Sequence, residues 1–80
     1  MYSIVIAAKP MADYRVAVKF KSGDEGVYDC RYLLKDDYWA ALRNENFFNQ
    51  VKAEYGTLCW PGDIDVPPES VWQRAIKDAA

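Results

Sequence analysis

Histidine is absent from this 80-residue chain, which removes the side chain most often used as a general base or metal ligand near neutral pH. Cysteine occurs only at Cys30 and Cys59. That spacing is neither a zinc-ligand pattern nor a redox pair, so both are expected to be buried thiols, with a disulfide left open. Long apolar runs are missing too. Ile4 to Ala8 is too short for a signal-peptide core or a membrane span, so the expected location is the cytoplasm, away from membranes. Cations are not clustered: ten Lys plus Arg are scattered against twelve Asp plus Glu, for a net charge of −2. Only Arg15, Lys19 and Lys21 form a local stripe, and direct nucleic-acid binding is disfavoured. Ser3, Ser22 and Ser70 have no sequence-level activating partner, and there is no phosphate-cradling glycine loop. These absences argue against an enzyme and call for no cofactor and no metal.

What is present is apolar and ring-rich material: 51% hydrophobic and 15% aromatic residues, with three Trp, six Tyr and three Phe. A chain this short buries a smaller fraction of its surface than a large domain does. Large rings therefore suit its core, because they bury much area for few rotatable bonds. No repeat, linker or low-complexity segment divides the chain, so residues 1–80 are expected to form a single domain.

Tyr2 to Ala8 is rich in β-branched residues before Lys9-Pro10 and predicts a first strand. Tyr14 to Lys21 alternates, with Tyr14, Val16, Val18 and Phe20 on one face and Arg15, Ala17, Lys19 and Lys21 on the other. Ser22 to Gly26 carries two glycines and predicts a hairpin turn. The return strand, Val27 to Tyr32, sends Tyr28, Cys30 and Tyr32 to one face. Its Asp29 and Arg31 fall opposite the basic residues of the strand before. Asp36 or Asp37 caps a short helical piece with Trp39 and Leu42 at i, i+3, and Asn44 caps a second holding Phe47, Phe48 and Val51. Val51 to Tyr55 and Leu58 to Trp60 read as two strands around Gly56-Thr57, and Pro61 to Asp65 as a loop. Pro67-Pro68-Glu69 opens a last helix whose pairs Val71–Ala75 and Trp72–Ile76 make an apolar face. The fold class is α+β: a small antiparallel sheet with short helices on one side, in the order β-β-β-α-β-β-α.

The densest cluster of polar chemistry is Trp60-Pro61-Gly62-Asp63-Ile64-Asp65-Val66-Pro67-Pro68-Glu69. Its carboxylates Asp63, Asp65 and Glu69, like Asp29, are the residual acid/base candidates, and oxygen ligands of this kind suit a hard cation. The calcium-loop pattern is lacking, however, and aspartates ahead of a helix commonly cap it or turn the chain. The structural role is the expected one.

In order and spacing, the chain from Tyr14 to Trp72 resembles the bacterial family known as domain of unknown function 2442. The features carrying the resemblance are Phe20, Gly23, Asp29, Leu42, Phe48, Val51, Gly56-Thr57, Trp60-Pro61, Gly62, Asp65 and Pro68-Glu69. Asp63 directly after Gly62 departs from the pattern, where a small residue or glycine is expected. The resemblance implies a small mixed sheet with helices and no established catalytic residues. It also implies members that stand alone, join helix-turn-helix domains or belong to toxin–antitoxin-like pairs. The expected function is a non-catalytic protein-interaction module, antitoxin-like or regulator-like, with a protein partner or a second copy of itself. The candidate interaction residues are Trp60, Pro61, Gly62, Asp65, Glu69, Trp39 and Trp72. The alternative is a small-ligand sensor with an aromatic pocket around Trp39, Trp60 and Trp72.

Overall fold

The alternation of Arg15 to Phe20 buries Val16, Val18 and Phe20 and leaves Lys19 in solvent, as expected of a strand with one covered face. The structure, a computed structural model, describes residues 2–77. Seven strands and two α-helices are assigned among them: β1 Val5–Met11, β2 Arg15–Phe20, β3 Glu25–Asp29, α1 Glu45–Phe48, β4 Lys52–Glu54, β5 Thr57–Trp60, β6 Ile64–Asp65, α2 Pro68–Arg74 and β7 Ile76–Lys77. Two 3-10 segments, Arg31–Lys35 and Asp37–Arg43, lie between β3 and α1. The α+β class is as the sequence predicts, but the strands form two antiparallel sheets: β1-β2-β3-β7 and β4-β5-β6.

Several boundaries move for physical reasons. β1 runs through Pro10, which pairs with Val16. It is an edge strand, where a missing amide hydrogen is tolerated. Gly26 is not in the hairpin turn; it lies in β3 opposite Val18 and is buried. The turn closes earlier, with Gly23 at φ +100° and its amide donating to Phe20 O at 2.9 Å. β3 stops at Asp29, and Tyr32 enters the first 3-10 segment. Asp29 does face Arg15 across the ladder. Arg31, by contrast, leaves the strand and grips Asp29 from two residues away, the shortest contact being 2.6 Å.

The turn between β4 and β5 falls on Tyr55 and Gly56, at φ +55° and +77°, consistent with a hairpin turn needing positive φ at both central positions. Thr57 is therefore a buried strand residue, its Oγ1 donating to Val66 O at 2.6 Å. Pro61 to Asp65 is not wholly loop, since Ile64 and Asp65 pair with Trp60 and Cys59. Finally, α2 ends at Arg74, because Ala75 turns extended at ψ 130°. Ile76 begins β7 instead of extending α2, so the helical spacing expected of Trp72 and Ile76 runs past the end of the helix.

The buried residues among those described form one cluster drawn from both sheets and both helices, including Phe20, Tyr28, Leu42, Phe48, Leu58, Trp60 and Val71. Rings organise it edge to face: Phe48 meets Tyr14 at 5.3 Å, and Phe20 meets Trp72 at 4.8 Å. Such contacts add about 0.5–1.5 kcal/mol each beyond area burial. The two sheets meet where Val5 N donates to Gly56 O at 3.0 Å. A Cβ on Gly56 would stand 3.0 Å from Ile4 Cγ2, on a residue held at φ +77°, so glycine suits that junction.

Candidate functional site

The residues after β3 leave the strand ladder and form the two 3-10 segments, and local polar groups turn them. Asp36 accepts from Tyr38 N at 2.9 Å, which starts the second 3-10 segment and places Tyr38 and Trp39 side by side. Their rings meet at 4.7 Å, edge on. Both then reach across to the β5–β6 connection, where Trp39 Nε1 donates to Asp65 O at 3.0 Å and Tyr38 Oη to Asp63 O at 3.3 Å. The Trp60 to Asp65 stretch is thus a clasp that orients aromatic side chains from elsewhere in the chain. Gly62 and Asp63 make its corner, at φ +85° and +60°.

A groove of about 260 Å³ opens beside this clasp, walled by Tyr32, Trp39, Val66 and Pro67, with Ser70 and Arg74 on its α2 side. The Arg74 guanidinium lies 3.9 Å above the Tyr32 ring centre. A cation so placed is held by the ring's negative face and keeps hydrogen-bonding capacity for a ligand. Below it, three hydroxyls run from core to groove: Tyr28 to Tyr32, and Tyr32 to Ser70 at 3.1 Å. Burial, then the hydrogen bond to Tyr32, pushes the Tyr28 hydroxyl well above the ordinary phenol range. It therefore stays protonated across the physiological range. The chain offers neutral donors and acceptors, and no carboxylate bonds to Ser70 Oγ among the described residues.

The residues singled out in the sequence separate into different places. Trp60 is in the core, its Nε1 donating to Phe48 O at 2.9 Å. Pro61, Gly62 and Asp65 are exposed in or beside the clasp, and Glu69 is exposed on α2. Trp39, Trp60 and Trp72 do not share a pocket: each lines a different concavity. The expected three-tryptophan pocket is corrected accordingly, because the indole of Trp60 is spent on the core and Trp72 packs on Phe20. Asp63, Asp65 and Glu69 sit on a turn, a strand and a helix. No group of three or more His, Cys, Asp or Glu among the described residues is placed to hold a metal ion.

No motif in the sequence points to Tyr32, Tyr38, Ser70 or Arg74 as site residues. Ser70 and Arg74 stand one helical turn apart on α2, a spacing visible in the sequence. Nothing local connects them to Tyr32. A larger concavity, of about 390 Å³, lies at the β1–β2 connection. There Asp13 and Tyr14 both take left-handed backbone, at φ +62° and +58°. The strain is held by Tyr14, whose Oη donates to Arg43 O at 2.7 Å while its ring packs on Phe48.

The cysteines are free. Cys30 is fully buried and its thiol is pushed up to about 12, by burial first and Asp29 second. Cys59 is only partly covered, and burial moves its thiol in the same direction. Neither has the lowered pKa of a reactive thiolate.

The family model described as Protein of unknown function (DUF2442) matches residues 5–77. The chain belongs to this family. The match embraces β1 through β7, so the clasp and the groove both lie within the part of the chain that DUF2442 covers. Comparisons with curated proteins and with solved structures found no match. No helix among the described residues is long and apolar enough to cross a membrane.

Proposed function

We propose that this DUF2442 chain is a non-catalytic interaction module of the bacterial cytoplasm that receives an extended segment of a protein partner in the groove beside the clasp. The observation carrying this reading is the convergence of Tyr32, Trp39 and Arg74 on one open groove, with Tyr38, 53% exposed, at the side of Trp39. Aromatic rings with an arginine are the side chains that dominate protein recognition. Val66 and Pro67 supply an apolar floor, while the Tyr32 and Ser70 hydroxyls can hydrogen-bond a peptide backbone.

Size favours a side chain or two over a whole metabolite. The groove's volume of about 260 Å³ lies under the roughly 300–1,000 Å³ typical of small-molecule pockets. The placement of the three tryptophans on separate concavities favours the partner reading over a sensor built on all three.

The experiment is selection from a displayed library of random peptides, followed by fluorescence titration of the enriched sequences. Wild-type protein should bind an enriched peptide, and Arg74→Ala combined with Tyr38→Ala should weaken it about 30-fold or more, as for loss of a hot spot. Both side chains are exposed, so the double variant should remain folded. Failure to enrich any peptide, or equal binding by the variant, would overturn the groove as the recognition site. A metabolite that raises the wild-type melting temperature but not that of the variant would restore the sensor reading.

A further inference from the structure

The face of the four-stranded sheet turned away from the helices carries a charge pattern that is its own complement. On this face β2 presents Arg15, Ala17 and Lys19, while β3 presents Asp29, Val27 and Glu25 directly opposite them in the ladder. One strand is basic at both ends, its neighbour is acidic at both ends, and a small apolar pair sits between. On the outer side of β2, β1 adds Ala7 opposite Lys19 and Lys9 opposite Ala17. The pattern lies on the centre line of the sheet, whose order is β1-β2-β3-β7.

We propose that this face docks a second copy of the chain, face to face, about a two-fold axis running parallel to the strands between β2 and β3. That operation lays β2 of one copy over β3 of the other. Lys19 then meets Glu25 of the second copy, Arg15 meets Asp29, and Ala17 meets Val27, each contact occurring twice as an isologous interface requires. The other two-fold stacking, with its axis perpendicular to the strands, puts Arg15 over Lys19 and Asp29 over Glu25, like on like. The sign pattern therefore selects one of the two symmetric arrangements.

Geometry permits the contact. Aligned sheets pack about 10 Å apart with a rotation of about 30°. The charged rows stand about 7 Å from the middle row, so that rotation displaces them by only about 3.5 Å, within reach of lysine and arginine side chains. Ala17 is small, and both Ala17 and Val27 are half-buried, so they let the sheets approach. Asp29 is already held by Arg31, whereas Lys19 and Glu25 have no ion-pair partner among the described residues. The Lys19–Glu25 contacts therefore supply most of the selectivity. The face spans about 19 Å by about 17 Å, roughly 320 Å² per copy, below the 600–1,000 Å² per partner of stable complexes. The dimer is accordingly weak and sensitive to salt.

Sedimentation equilibrium at low ionic strength, from about 10 µM to about 1 mM protein, tests this. Wild-type protein should dimerise reversibly toward the upper end. Lys19→Glu and Glu25→Lys, each alone, should lower the association constant tenfold or more by setting like charges face to face. An equimolar mixture of the two variants should recover association, because each altered charge then meets its opposite. A wild-type chain that stays monomeric throughout, or a mixture that associates no better than its components, would overturn the proposal.

Discussion

Replacing Trp60 by phenylalanine separates two contributions that the indole makes to the fold. Trp60 is 3% exposed, its ring lies 5.9 Å from Phe48, and its Nε1 donates to Phe48 O. That carbonyl also accepts from Val51 N at 3.2 Å, so it keeps one partner in the variant. The lost hydrogen bond should then cost only about 1 kcal/mol. Phenylalanine also leaves two ring carbons unreplaced, at about 0.8 kcal/mol each. The sum is about 2.5 kcal/mol, a large part of the roughly 4–12 kcal/mol available to an 80-residue domain. With about 4–8 °C of melting temperature per kcal/mol at this size, the midpoint should fall by about 10–20 °C. Thermal unfolding followed by far-ultraviolet circular dichroism measures it. A shift below about 4 °C would refute the reasoning, since neither the indole bond nor the packing of its second ring could then be holding α1 against β5.

Two further outcomes follow from local chemistry. Asn44 Oδ1 accepts from Asn46 N and Phe47 N at the start of α1. Asn44→Ala should therefore cost about 1 kcal/mol, and Asn44→Asp much less, in the same melting assay; equal losses would contradict a capping role. At alkaline pH, Cys30 and Tyr28 both favour their neutral forms in the folded state, with pKa values raised above the unfolded values of 9.0 and 10.0. Their contribution is intact below pH 9. It is lost as pH rises through the Cys30 value of about 12, at up to about 1.4 kcal/mol per pH unit for each group in its window. Cys30→Ala should flatten the first part of that decline, between pH 9 and 10, and an unchanged slope would show that the thiol does not drive it.

Much of the architecture was legible because it rests on local regularities. The period-two pattern of Val16, Val18 and Phe20 needs no partner to be read, and the Asp36 and Asn44 caps satisfy amides two or three residues away. The site was far less legible. The alternation places Tyr28 and Tyr32 on one strand face, and their hydroxyls do meet, but only after the chain leaves the strand. The Trp60 to Glu69 run carries the structural role its sequence predicts, turning the chain from β5 through β6 into α2. Its grip on Tyr38 and Trp39 spans 25 and 26 residues, and no local spacing announces it.

The amino-acid order by itself determined which residues are buried in β2, where the helical segment capped by Asn44 begins and that Gly23 and Gly56 close turns, because those outcomes follow from neighbouring side chains and backbone sterics. Tertiary structure alone decided β6 and β7, two-residue strands too short to show a period. It also decided the passage of β1 through Pro10 and the left-handed backbone of Tyr14. In each case a distant partner supplies the hydrogen bond, the sheet edge or the packing that offsets an unfavourable local preference. The groove and the two-signed sheet face are of the same kind: they exist only once strands and helices far apart in the chain are brought into register.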